Sequence, residues 1–199
     1  PSAREVAGNL REVAKPWFIL PLFGFAIIAG THFILNAFGA LLWKQQGISE
    51  NIIGPLIALG SASEAIIMFL WRRFGGRLSA RYLMLIAASV SAFRWGVMAL
   101  EPNVFVLVLL QMLHGVTYAV GYLGCVHFIA NWTHENIAAE TQSLFTVGQQ
   151  LLSVISIMGF GLLVSSFGVQ SYFAAAGLAL VGGVCIWLSL VMKPPKSES

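Results

Sequence analysis

The stretch WFILPLFGFAIIAGTHFILNAFGALLW, Trp17 to Trp43, contains no Asp, Glu, Lys or Arg across 27 residues. An α-helix rises about 1.5 Å per residue, so about 20 apolar residues cross the roughly 30 Å hydrocarbon layer of a bilayer. The stretch therefore reads as a membrane-spanning helix. Five more runs of the same character follow, at 52–71, 82–100, 104–130, 141–165 and 171–192. The connections between them, Lys44 to Asn51, Arg72 to Arg81, Glu101 to Asn103, Asn131 to Glu140 and Ser166 to Gln170, leave no room for a separate soluble domain. Composition agrees: 58% of the 199 residues are hydrophobic and 10% charged, against about 25% charged in a soluble domain. The expected fold class is an all-α membrane protein with six transmembrane helices. Residues 1–16 form a linker, 17–192 the bundle and 193–199 a tail.

The linker repeats Arg-Glu-Val-Ala at Arg4 and again at Arg11, with Val6, Leu10, Val13 and Trp17 on one helical face. That spacing fits a short amphipathic helix at the membrane surface, and a flexible linker fits it nearly as well. No apolar signal-peptide core precedes the first span, so the opening at Pro1 reads as an internal cut. Lys and Arg near the span ends set orientation. Arg4, Arg11 and Lys15 precede the first run; Arg72, Arg73, Arg77 and Arg81 separate the second and third; Lys193 and Lys196 follow the sixth. With six spans these segments share one side, which carries nine of the eleven basic residues and is expected to be cytoplasmic. The net charge of +3 is too small and too dispersed along span ends to suggest a nucleic-acid partner. Cys125 and Cys185 lie inside apolar runs and read as small buried residues.

Of Asp, Glu, Lys and Arg, two residues fall within the spans. Glu64 sits in SASEAIIMFLW and Arg94 in SVSAFRWGVMAL, at depths of roughly 10 Å and roughly 18 Å from the basic side. A charge at mid-bilayer costs about 2.5–3.5 kcal/mol or more, so such residues usually pair or line a pathway. Long side chains could bring Glu64 and Arg94 together, and a purely structural ion pair is the competing reading. On the fourth run Gln111, His114, Thr117, Tyr118 and Gly121 share one α-helical face; on the fifth Thr146, Gln149, Ser153 and Ser156 do so, with Gln150 beside them. Such stripes face protein or water rather than lipid and serve as interhelical glue or as a cavity wall; two of them together with Glu64 and Arg94 favour a cavity. His32 and Asn36, four apart on the first run, can join the same cavity. His127 and His134 lack a third ligand at their level, so no metal site is expected. Small residues at Gly54, Ala58 and Ala62, and at Ala175, Ala179 and Gly183, suit close helix packing. There is no G-x-S-x-G, no H-E-x-x-H and no glycine-rich phosphate loop, so no enzyme is expected. A stand-alone six-helix protein, such as a dimeric channel or an intramembrane hydrolase resting on an unmarked Ser and His, is the alternative.

Three segments carry a resemblance: RRFGGRLSAR at Arg72, LMLIAASVSAFRWGVMAL at Leu83 and LLQMLHGVTYAVGYLGCVHFIA at Leu109. Together they resemble the C-terminal half of major facilitator transporters, most closely the 3-phenylpropionate permease group, related to lactose permease. The resemblance implies helices seven to twelve of a twelve-helix proton symporter, built as two inverted three-helix repeats. Its expected partners are an N-terminal six-helix half, the lipid bilayer of a bacterial inner membrane and a small-molecule substrate. Its energy source is a proton gradient and no cofactor is implied. An arginine and a histidine at the places of Arg94 and His114 serve proton coupling and sugar binding in lactose permease. The sugar-contacting glutamate of that protein falls at Ser61, one turn from Glu64, and its coupling carboxylate falls at Thr117, which argues against a galactoside. The loop bearing Arg72, Arg73, Gly75 and Arg77 matches the superfamily's loop motif but has Arg72 where an Asp is usual. The implied mechanism has Arg94 holding Glu64 or an organic carboxylate in its planar fork. Glu64 then carries the proton, and His114, Gln111, Thr117, Gln149, His32 and Asn36 supply orienting or coupling groups.

Overall fold

The computed structural model describes residues 13–74 and 78–193, without the side chains of Arg72, Phe74 and Asn136. The described residues build helices and no strand: α1 (Pro16–Gln45), α2 (Glu50–Phe74), α3 (Ala80–Met98), α4 (Val104–Met112), a π-helical segment (Gly115–Val120), α5 (Gly121–Trp132), α6 (Glu135–Phe167), a 3-10 turn (Gly168–Ser171) and α7 (Tyr172–Met192). The chain passes from α4 through the π segment into α5 as one continuous rod. These helices lie over the six apolar runs, their ends shifted by a few residues where polar caps extend them. Pro16 starts α1, where its missing N–H costs no hydrogen bond. Asn103 caps α4 by accepting from the Val106 N–H at 3.1 Å.

Four stretches are long and apolar enough to cross a membrane: Pro16–Gln45, Glu50–Trp71, Val104–Trp132 and Ile137–Met192, the last taking in both α6 and α7. The 19-residue α3 is not one of them, because Arg81 and Arg94 dilute its apolar character. The surface helix expected in the linker, the glycine loop with Gly75 and Arg77, and the tail beyond Lys193 lie outside the described residues.

The centre of the bundle is α1, buried along most of its length and packed on α6 and α7, while α3 packs on α7 and α5. At the α1–α7 crossing a side chain on Gly24 would come within 2.5 Å of the Gly182 carbonyl, and one on Gly182 equally close to that of Gly24. Glycine at both places lets the two backbones touch. Ala175 and Ala179 are buried as their spacing suggested, but Gly54, Ala58 and Ala62 of α2 are exposed. That helix meets its neighbours through the opposite face, at Ile53, Leu56, Gly60 and Ser63.

The basic end is tied by aromatic rings. The Lys193 ammonium lies 4.0 Å from the Trp17 ring centroid and 4.2 Å from that of Trp132. Arg81, read from sequence as part of a surface connection, is buried: its Nη1 donates to the Ser189 carbonyl at 2.9 Å and to Ser189 Oγ at 3.0 Å. At the other end Lys44 and Glu50 form an exposed ion pair across the α1–α2 turn.

Candidate functional site

Arg94 of α3 is fully buried. Its Nε donates to the Leu110 carbonyl at 2.8 Å and its Nη2 to Gln111 Oε1 at 2.6 Å. The guanidinium carbon lies 4.5 Å from the Trp95 ring centroid. No carboxylate among the described residues approaches within ion-pair distance of it, and Nη1 has no hydrogen-bond partner there. Glu64, expected as its partner, is elsewhere: Oε2 faces His114 Nε2 at 3.9 Å. Gln111 is oriented by its own neighbours, because a guanidinium only donates and a carbonyl only accepts. Its Oε1 therefore turns to Arg94 and its Nε2 to the Leu56 carbonyl of α2, at 2.8 Å. Gly60 makes room for this amide, since a Cβ there would lie 3.2 Å from Nε2.

The π segment has an identifiable cause in Ser63. Its single hydroxyl proton goes to the Gly60 carbonyl at 2.7 Å, with the Gln111 carbonyl 3.3 Å away, while the oxygen accepts from the Gly115 N–H at 2.9 Å. A serine from α2 thus stands between the Gln111 carbonyl and the Gly115 N–H, which would bond each other in an unbroken α-helix. Gly115 is required for that approach: a Cβ would lie 2.5 Å from the Ser63 carbonyl.

Within and beside the π segment the polar groups converge on α1. His32 is buried, its Nδ1 2.9 Å from the Ile28 carbonyl and its Nε2 2.7 Å from Thr117 Oγ1. Thr117 Oγ1 also lies 3.1 Å from the His114 carbonyl. The rings of His32 and His114 are 5.2 Å apart, and Trp95 packs edge-on to His32 at 5.3 Å. His114, Tyr118 and Tyr122 form a stacked series at 6.0 Å and 6.4 Å. Gln149 of α6 closes the group by donating to Tyr118 Oη at 3.3 Å. His114 Nδ1 is buried without a hydrogen-bond partner among the described residues.

The structure thus brings Arg94, Gln111, His114, Thr117, Gln149, His32 and Glu64 into one region. Asn36 is not among them, since it is exposed one turn from His32. Thr146 and Gln150 are also exposed, and Thr146 bonds only its own helix, at Gln142. Arg73 is exposed at the end of α2. Sequence reasoning missed Ser63, Tyr122 and Tyr172, the last stacked on Trp95 with centroids 5.7 Å apart. The aromatic spacing Tyr118 to Tyr122 is a helical i, i+4 signal that could have shown one of these. No three histidine, cysteine or carboxylate side chains converge among the described residues in a way that could hold a metal ion.

Comparison with known proteins matches this chain to the MFS_1 like family over residues 4–175. It is 34% identical to a protein named probable 3-phenylpropionic acid transporter of Escherichia coli (strain K12) over 104 residues, 52% of this chain and 27% of the relative. It is 22% identical to the maltose permease of Geobacillus stearothermophilus over 191 residues, 96% of this chain and 48% of the relative. The chain spans between about a quarter and about half the length of the curated relatives it matches. No solved structure matches it. Four apolar stretches long enough to cross a bilayer, together with relatives named as transporters, make this an integral membrane protein. The chain belongs to the MFS_1 like family, a branch of the major facilitator transporters.

Proposed function

We propose that this chain is the C-terminal half of a proton-coupled transporter that takes up a small organic carboxylate with an aromatic ring, similar to 3-phenylpropionate. The observation that carries the reading is Arg94: a fully buried guanidinium with no carboxylate partner among the described residues and one N–H-bearing nitrogen unused. An uncompensated buried charge is costly, and an arriving anion relieves that cost. The planar fork suits a carboxylate. The stacked series His114, Tyr118 and Tyr122, with Trp95 beside His32, supports an aromatic substrate, as does the printed name of the Escherichia coli relative. Glu64, facing His114, is the proton carrier of this reading, with Gln111 and Gln149 as orienting groups.

In this reading α1, α2, α3, the α4–π–α5 rod, α6 and α7 are six spans forming two inverted three-helix repeats. They occupy residues 17–192, between a linker and a tail that both lie in the bacterial cytoplasm. The loop with Arg72, Arg73, Gly75 and Arg77 faces the same side. A six-helix N-terminal half is the partner, and the exposed apolar faces of α2 (Ile66, Phe69) and α6 (Leu144, Leu151, Leu162) suit lipid and that second half. Rocking of the two halves exposes the site to each side in turn. The proton gradient drives uptake without a cofactor. The test is uptake of labelled 3-phenylpropionate by the full-length protein in vesicles with an imposed proton gradient. Arg94→Ala abolishes uptake and exchange, whereas Glu64→Gln keeps exchange and loses gradient-driven accumulation. Normal accumulation by both variants overturns the reading.

A further inference from the structure

His32 is a buried imidazole for which the proposed transport cycle has no assigned step, and its hydrogen bonds are over-subscribed in one protonation state only. The Ile28 carbonyl can only accept, so Nδ1, 2.9 Å away, carries a proton in either state. A neutral His32 then presents an unprotonated Nε2, which needs the Thr117 hydroxyl proton at 2.7 Å. The same single proton is the only one Thr117 can offer to the His114 carbonyl at 3.1 Å. Neutral His32 therefore leaves one of the two contacts unmade. When Nε2 takes up a proton it becomes the donor to Thr117 Oγ1, and the hydroxyl turns to the His114 carbonyl; both contacts are then satisfied.

We propose that His32 Nε2 is a second proton-binding position, and that Thr117 relays its occupancy to the His114 carbonyl at the start of the π segment. The inference rests on the carboxylate-transport reading for its coupling to substrate. The groups around the imidazole explain that coupling. Arg94 and Trp95 come from α3, His114 and Tyr118 from the α4–π–α5 rod; Glu64 of α2 stands behind His114, and Tyr172 of α7 behind Trp95. From α6, Leu152 and Ser156 pack at Gly30, half a turn from His32. The fixed charge that acts on the imidazole is the Arg94 cation, and a second cation beside it is disfavoured until an anion is present. A substrate carboxylate at Arg94 supplies that anion. Proton and substrate then enter together, with their charges cancelling.

Nitrogen NMR of the full-length protein with labelled histidine reads the two ring nitrogens of His32 directly, assigned by loss of its signals in His32→Gln. In wild type, saturating 3-phenylpropionate protonates Nε2 of His32, and Arg94→Ala abolishes this response. Thr117→Val, which removes the hydroxyl at nearly constant shape, weakens or loses the response while Thr117→Ser retains it. Lowering the pH stepwise without ligand gives an independent reading: wild type and Thr117→Val then titrate differently at His32. If Nε2 stays unprotonated throughout, or if Thr117→Val behaves as wild type with ligand and across the pH series, the proposal is overturned. Failure of wild type to bind 3-phenylpropionate with the pH series still as expected overturns the substrate reading instead and leaves the switch standing.

Discussion

Arg94 Nη2 and Gln111 Oε1 are 2.6 Å apart, so a buried cation in the middle of the bundle is held by a neutral amide rather than by an acid. The amide is itself anchored to the Leu56 carbonyl, which links α3 to α2 through one side chain on α4.

Replacing Gln111 separates packing from charge. Gln111→Leu leaves Nη2 without its acceptor, and the expected loss is about 1–3 kcal/mol of stability. Thermal unfolding of the full-length protein in detergent checks it. Gln111→Glu gives Arg94 the carboxylate it lacks, so unfolding shifts little. On the proposed carboxylate-transport reading, binding of 3-phenylpropionate, measured by titration calorimetry, weakens by about tenfold or more, about 1.4 kcal/mol.

Ser63→Ala deletes the hydroxyl to which the Gly115 N–H donates. A buried N–H without a partner costs about 1–3 kcal/mol. The unfolding temperature falls, and hydrogen exchange at Gly115 accelerates more than at Leu107 on the same rod.

Glycine substitutions sort by what a new methyl would meet. Gly115→Ala places it 2.5 Å from the Ser63 carbonyl and Gly24→Ala 2.5 Å from that of Gly182. Both force helices apart, at about 1–3 kcal/mol each. Gly54→Ala meets nothing within 4 Å and stabilises its helix by about 0.5–1 kcal/mol. The order of folded yields after detergent extraction checks the series.

Lys44 and Glu50 pair on the exposed surface. Solvent screening makes such pairs weak. Lys44→Ala leaves the unfolding temperature unchanged, and a clear fall would assign this pair a role in the α1–α2 turn.

The helical runs were legible because uninterrupted apolar length is a strong signal. The polar cluster proposed as the site was legible through polar residues stranded in those runs, namely Arg94, His114, Gln111 and Glu64. Pairing was not. Depth counted from span ends suggested Glu64 for Arg94, but it ignores which way each helix turns, and Glu64 faces His114. Burial of Arg81 was also hidden, because a charge near a span end ordinarily reaches water; here Ser189 of α7 accepts its guanidinium. Asn36 and Thr146 fell outside the cluster because a helical face has an edge: the four-residue step from His32 to Asn36 turns about 40° around it and the three-residue step from Gln149 to Thr146 about 60°. Ser63 gave no sign at all, since its effect depends on a crossing between helices about 50 positions apart in sequence.

The π segment Gly115–Val120 also changes how this rod must be compared with its relatives. A π turn takes up about one residue more than an α turn, so everything after Val120 is rotated by about 100° relative to a regular helix continued from α4. Gln111 and His127 therefore cannot both be matched to a straight helix without a gap. Against a relative whose helix is regular at this place, an ungapped match puts one end of the rod on the wrong face, and a single-residue deletion between Gly115 and Val120 is the length change this rod can absorb without moving its connecting loops.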